Sequence, residues 1–95
     1  MAVRRELRIT IQTLLVFKQF LKAPEAEHFG AAIAKSTGIR SGTLYPILDR
    51  LLKHGYLTKH KEKGDPRKLE RPLRQFFRLT KEGKIKAETA LRLVS

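Results

Sequence analysis

Gly38 parts two short helical stretches by so little chain that they must pack as a crossed pair, and this spacing restricts the fold more than any other feature. From His28 to Gly38 the chain reads as a short helix with Phe29, Ile33 and Ala32 inward and Gly38 at its C-terminal cap. A second helix begins near Ser41, a good N-cap residue, and runs to about His54, with Gly55 as its stop. A helix, a tight glycine-containing turn and a second helix form the helix-turn-helix signature.

On a helical wheel, Leu44, Ile47, Leu48, Leu51 and Leu52 of the second helix gather on one side, while Gly42, Thr43, Pro46, Asp49, Arg50 and Lys53 face away. Tyr45 stands on the flank. The outward set is small at its leading end and basic further on, which suits a helix that approaches a duplex closely and then neutralises phosphate. Pro46 lacks a backbone donor, so an irregular first turn is expected.

The flanking segments complete the layout. From Leu7 to Lys22 nothing breaks a helix, and its apolar residues form two stripes: Leu7, Ile11, Leu14 and Leu21 on one side, Ile9, Val16 and Phe20 on another. A surface helix normally has one apolar stripe, so the second is expected to meet another copy of the chain or to be buried centrally. Ala23-Pro24-Glu25 ends it. Beyond Gly55, Leu57, Lys59 and Lys61 alternate with Tyr56, Thr58 and His60, a strand pattern matched by Gln75-Phe76-Phe77-Arg78-Leu79. Between them Lys63-Gly64-Asp65-Pro66 is turn chemistry, and the residues to Arg74 are a long basic connection, so the whole reads as a hairpin wing. Thr80 caps a last helix whose Ile85, Ala87, Ala90, Leu91 and Val94 can pack on the first.

The expected fold is therefore mainly α with a small β-hairpin: a winged helix-turn-helix with a three-helix core, a wing and a C-terminal helix. One domain covers residues 1–95, with a first helix over about 7–22, the helix-turn-helix over 27–54, the wing over 56–79 and the last helix over 81–93.

Charge points to the partner. Lys and Arg number 21 against 9 Asp and Glu, a formal net charge of +12, which calls for a polyanion. Between Lys59 and Arg74 seven cations face three carboxylates, concentrating the excess on the wing. With no cysteine, and with His28, His54 and His60 apart in sequence, no metal or other cofactor is expected. No apolar run approaches the roughly 20 residues that span a bilayer, and no secretory signal follows the basic N-terminus, so a cytoplasmic, nucleoid-associated protein without a membrane partner is expected. The acidic pairs Glu25 with Glu27 and Asp65 with Glu70 lie in turns beside cations, where nothing separates their pKa values, so an enzyme is not expected.

Ser41-Gly42-Thr43-Leu44-Tyr45-Pro46-Ile47-Leu48-Asp49-Arg50-Leu51, followed by Gly55-Tyr56-Leu57, resembles the recognition-helix segment of PadR-family regulators. Phe76-Phe77-Arg78-Leu79-Thr80-Lys81-Glu82-Gly83 is similar to the same family's second wing strand and helix start. A proline after tyrosine inside a helix is specific, because generic helix patterning does not produce it. The resemblance runs from about Leu14 to Gly83, and it implies a winged-helix repressor that binds palindromic operators as a dimer. It further implies that Ser41, Gly42, Thr43, Tyr45, Pro46 and Arg50 belong to the segment entering the major groove, and that the hairpin from Lys59 to Phe77 meets the backbone or minor groove. Two departures stand out. Leu69 to Gln75 reads as an insertion in the wing, and only about three helical turns follow Gly83, where PadR relatives continue into a longer helical segment. Dimerisation is then expected on the first and last helices, through Leu7, Ile9, Ile11, Val16, Phe20, Leu91 and Val94, without a dedicated small-molecule effector pocket.

Double-stranded DNA is the expected partner. Ser41 and Thr43 can bond base edges and Arg40 can clamp a guanine. Arg50 and Lys53, with Lys35 on the preceding helix and Lys61, Lys63, Arg67, Lys68, Arg71 and Arg74 on the wing, are the expected phosphate contacts. Tyr45 can donate to a phosphate or serve as a half-buried core residue. Two other readings of the same residues stay open: a non-specific architectural or plasmid and virus maintenance protein that coats nucleic acid, and a winged-helix protein-interaction module.

Overall fold

The computed structural model describes residues 8–94. In chain order it contains α1 (Ile11–Leu21), β1 (His28–Phe29), α2 (Gly30–Thr37), α3 (Ser41–Lys53), β2 (Leu57–Lys61), α4 (Pro66–Leu69), β3 (Gln75–Leu79) and α5 (Lys81–Val94). This is a mainly helical winged helix with a small antiparallel sheet, ordered β1-β3-β2.

The first helix begins later than its unbroken apolar pattern suggests, because Thr10 caps it: the Thr13 amide donates to the Thr10 hydroxyl at 3.1 Å. Leu7 lies outside the described residues. Val16, Phe17 and Phe20 point into the protomer's own core and are fully buried. That corrects the expectation that Val16 and Phe20 meet a partner, since a side chain with no exposed surface has nothing to offer one. The core around them is built from Ile33, Leu44, Leu48 and Leu51 of the helix pair, Phe77 and Leu79 of β3, and Ala87 and Ala90 of α5. Alanines on the buried side of α5 let it lie close along α1. Ile85 and Val94 of α5 remain exposed rather than packing on α1.

His28 and Phe29 are strand, not helix. They pair antiparallel with Phe77 and Phe76, and α2 starts only at Gly30. Aromatic contacts reward the extended form: His28 meets Phe20 edge-on at 4.8 Å, and Phe29 meets Phe76 edge-on at 6.1 Å. The turn between α2 and α3 is held by Gly38 at φ 75° and by the Thr37 hydroxyl, which donates to the Ile33 carbonyl at 2.7 Å and accepts from the Ile39 amide at 3.2 Å.

Arg40, rather than Ser41, is the N-cap of α3, and it caps through no side-chain hydrogen bond. The helix continues without a break through Pro46. Only one intrahelical bond is lost there, the one that would reach the Gly42 carbonyl, and Gly42 is exposed so that water can take its place. At the other end of the domain, Thr80 accepts from the Gly83 amide at 2.9 Å and donates to the Gly55 carbonyl at 2.7 Å, tying the start of α5 to the end of the helix-turn-helix.

Candidate nucleic-acid interface

The outward face of α3 forms a surface of small residues followed by cations: Ser41, Gly42, Thr43, Pro46, Asp49, Arg50 and Lys53 are all exposed. The opposite face, with Leu44, Ile47, Leu48 and Leu51, is buried and fixes the rotation of the helix. Arg50 enters no ion pair among the described residues, whereas Lys53 bridges Asp49 one turn earlier at 3.0 Å, and both partners of that pair are solvent-exposed.

Beside this helix stands the wing. Strands β2 and β3 pair from Leu57 with Leu79 to Lys61 with Gln75. The turn after Lys63 leads into α4, a single turn whose N-cap Asp65 accepts from the Arg67 amide at 2.9 Å and which Glu70 closes at φ 57°. The segment read as an insertion, Leu69 to Gln75, runs from the last residue of α4 into β3. Lys63, Arg67 and Lys68 at its tip are exposed and enter no ion pair among the described residues. Lys61 and Arg74, on the strand ends, are exposed as well, as are Lys35 on α2 and Arg40 ahead of α3.

Wing and helix pair border a shared cleft of about 560 Å³, lined by Phe29, Gly30 and Ala31 at the start of α2, Tyr45 of α3, and the wing's return segment from Arg71 to Gln75. Tyr45 joins the two sides. Its ring lies 6.5 Å from that of Phe77 at 57°, its hydroxyl reaches the backbone of Gly30, and 41% of its surface stays open. The Arg74 guanidinium covers the Phe29 ring at 4.4 Å, a cation–π contact that leaves its other face to solvent.

Arg71 is placed differently from its expected role. Both of its terminal nitrogens donate to the Glu62 carboxylate, at 2.7 and 3.0 Å, so its charge is matched inside the wing instead of being free for phosphate. The Arg71 guanidinium, and after it the Arg74 amide, hold the Glu62 carboxyl down at about 2.

Lys59 was not singled out from the sequence, yet it borders the groove between α3 and the sheet together with Gln75, Tyr45 and Asp49. Strand alternation carried the signal, because Lys59 lies on the same side of β2 as Lys61 and as the buried Leu57.

Outside α3 and the wing, the exposed large apolar residues lie on or beside α1 and on α5. Ile11 of α1 is 78% exposed, and Leu93 of α5 is 82% exposed. Ile9, Leu15, Ile85 and Val94 are exposed too, while Leu91 is half-buried against the core. Among the described residues no three His, Asp or Glu side chains converge as a metal site would require, and no helix is long and apolar enough to cross a membrane.

Comparison with known proteins gives this architecture a context. The model of the transcriptional regulator PadR-like family matches residues 25–89, from the loop before β1 into α5. No curated protein matches the sequence. Among solved structures, AbfR of Staphylococcus epidermidis is similar with a TM-score of 0.71 at 23% identity, over 92% of this chain and 54% of that one. PadR of Bacillus subtilis, solved in complex with operator DNA, is similar with a TM-score of 0.69 at 17% identity, over 86% of this chain and 48% of that one. A PadR family transcriptional regulator from Eggerthella lenta reaches 0.68 at 26% identity, over 85% of this chain and 69% of that one. The chain thus spans about half the length of the first two, and the likeness to them is one of fold.

Proposed function

The chain belongs to the transcriptional regulator PadR-like family, and from that premise we propose that it is a sequence-specific double-stranded DNA-binding repressor acting as a cytoplasmic homodimer on an inverted-repeat operator. The family is one of transcription regulators, not of enzymes. The observation that carries the reading is the pairing of an exposed, small-then-basic face on α3 with a wing tip whose Lys63, Arg67 and Lys68 are unpaired among the described residues. The operator complex of the Bacillus subtilis PadR neighbour, which shares the fold, supports it further.

In this reading α3 enters the major groove, where Ser41 and Thr43 meet base edges and Arg40 reaches a guanine. Gly42 and Pro46 keep the leading face low, so the helix sits deep. Arg50, Lys53, Lys35 and the open part of Tyr45 contact phosphates flanking the groove, and Lys61, Lys63, Arg67, Lys68 and Arg74 follow the backbone from the wing. Lys59 joins that group. Two protomers associate through Ile9, Ile11, Leu91 and Val94, and Leu15 of α1 and Leu93 of α5 are further exposed apolar residues on these helices. Their recognition helices then lie about one duplex turn apart, roughly 34 Å, and occupy the promoter without any catalytic step.

Fluorescence anisotropy with a duplex from the gene's own upstream region and a scrambled duplex, at several salt concentrations, tests this. Binding to the native duplex about a thousandfold tighter than to the scramble upholds a specific repressor. Equal affinities with the same steep salt slope favour a non-specific coating protein instead, the reading that the net charge of +12 supports. Failure to bind either duplex discards both and leaves the protein-interaction module.

A further inference from the structure

A carboxylate in the middle of a DNA-facing wing is at first sight a liability, since it repels the phosphates that the neighbouring cations attract. Glu62 is placed where that cost can be offset. It follows β2 directly, and its amide donates to the Arg74 carbonyl at 2.7 Å, extending the strand ladder by one step into the neck of the wing. Its carboxylate takes both arms of Arg71 and, at 3.1 Å, the Arg74 amide. Arg71 in turn is fixed from behind, its own amide donating to the Pro66 carbonyl at 3.3 Å and its guanidinium to the Pro72 carbonyl at 3.2 Å. One side chain thereby joins the end of β2, the exit of α4 and the approach to β3.

Beyond the Asp65 cap of α4 and a few backbone hydrogen bonds, little else sets that shape. No residue between Leu57 and Phe77 is buried, so apolar packing cannot hold the tip in one conformation. A bidentate carboxylate–guanidinium pair, with both groups charged over the whole neutral range, has the directionality that packing lacks.

We propose that Glu62 and Arg71 are positioning residues of the nucleic-acid interface, a brace across the neck of the wing that presents Lys63, Arg67 and Lys68 to the duplex as a fixed set. This role rests on the DNA-binding reading above. It assigns to Arg71 no phosphate contact of its own, and it gives Glu62 a contribution to DNA affinity opposite in sign to its charge.

The sign makes the test decisive. The full chain, E62Q, R71Q and the double variant are compared on a mixed-sequence duplex at several salt concentrations, with limited trypsin digestion and thermal melts of the free proteins alongside. Because the brace lies outside the core, all four should melt at similar temperatures. E62Q should bind about threefold to tenfold more weakly despite its extra net positive charge, with a shallower salt slope, since fewer cations reach phosphate together. Trypsin should cut E62Q faster after Lys63, Arg67 and Lys68. R71Q should lose the same affinity as E62Q, and the double variant no more than either. Tighter binding by E62Q, or undiminished affinity with an unchanged wing digest, overturns the brace and leaves Glu62 an electrostatic bystander. Independent, additive losses return Arg71 to the phosphate contacts. If the wild-type chain binds no duplex, the DNA reading itself has failed, a result visible before any variant is compared.

Discussion

The Tyr45 hydroxyl occupies the space beside Gly30 in which any other residue would carry its Cβ. Two helices are thereby brought together at the mouth of the cleft, with an aromatic ring of α3 lying over the first residue of α2. A methyl group at Gly30 would overlap the end of the tyrosine ring, which can rotate away. G30A should therefore fold with Tyr45 displaced, at a cost of about 1 kcal/mol and a melting temperature lower by roughly 4–8 °C. Thermal melts, with tyrosine fluorescence quenching in a Y56F background, check both parts.

Gly83 presents the harder case. A Cβ there would run into the Tyr56 carbonyl, which is backbone and already accepts from the Thr80 amide at 3.1 Å. No rotamer relieves that overlap, so α5 would have to move away from the helix-turn-helix. G83A should cost about 2–3 kcal/mol and lower the melting temperature by more than 10 °C or so. Equal melting of G83A and G30A would show that α5 shifts freely.

Acid should loosen the wing before it unfolds the core. Glu62 has a folded pKa of about 2 against 4.5 for an unperturbed carboxyl, so its contribution is complete above about 4.5 and disappears as the pH falls through 2. The difference in amide exchange between wild type and E62Q should accordingly shrink over that window and be constant above it. A difference that persists undiminished at the acid end would place the cause elsewhere.

Arg50 is the exposed cation of α3 that no carboxylate matches among the described residues. R50A should weaken DNA binding and reduce the salt slope by about one for each half-site occupied. K53A should do less, because Asp49 already answers that charge at 3.0 Å. Equal losses for the two would mean that the surface ion pair opens on binding.

Ile11 and Leu93 test association without disturbing the fold, since each is mostly exposed. The I11E and L93E variants should keep the wild-type melting profile at low concentration yet sediment as monomers where the wild type dimerises. Operator affinity would fall with them. A sedimentation profile unchanged in both variants would remove the α1 and α5 surface from the dimer.

The helix pair and its direction of exposure were legible because they depend on local chemistry. Gly38 and Gly55 mark the stops, and the five leucine and isoleucine positions of α3 leave only one way to turn its face. Tyr45-Pro46 narrowed this further by resemblance. Other features depend on what lies opposite. Two apolar stripes on the first helix are visible in the sequence, but only the fold shows that Val16 and Phe20 belong to the protomer's own core while Ile11 is left outside. His28 and Phe29 are too few to display alternation, and their extended form comes from pairing with β3, nearly fifty residues downstream. Arg71 looks like any other cation of a basic loop until Glu62, nine positions earlier, is brought across the neck to meet it.

The short strand β1 has a mechanical consequence for the whole unit. A hairpin anchored at one edge can hinge about its base, and a push on its tip is dissipated there. Here the returning strand of the wing is held on both sides, by β2 and by the two residues that lead straight into α2. The backbone pairing of His28 with Phe77 and Phe29 with Phe76 thereby ties the wing's returning strand to the leading end of that helix. On the DNA-binding reading, the wing and the helix pair would then meet a duplex as one unit, with the angle between them set by the pairing of β1 with β3.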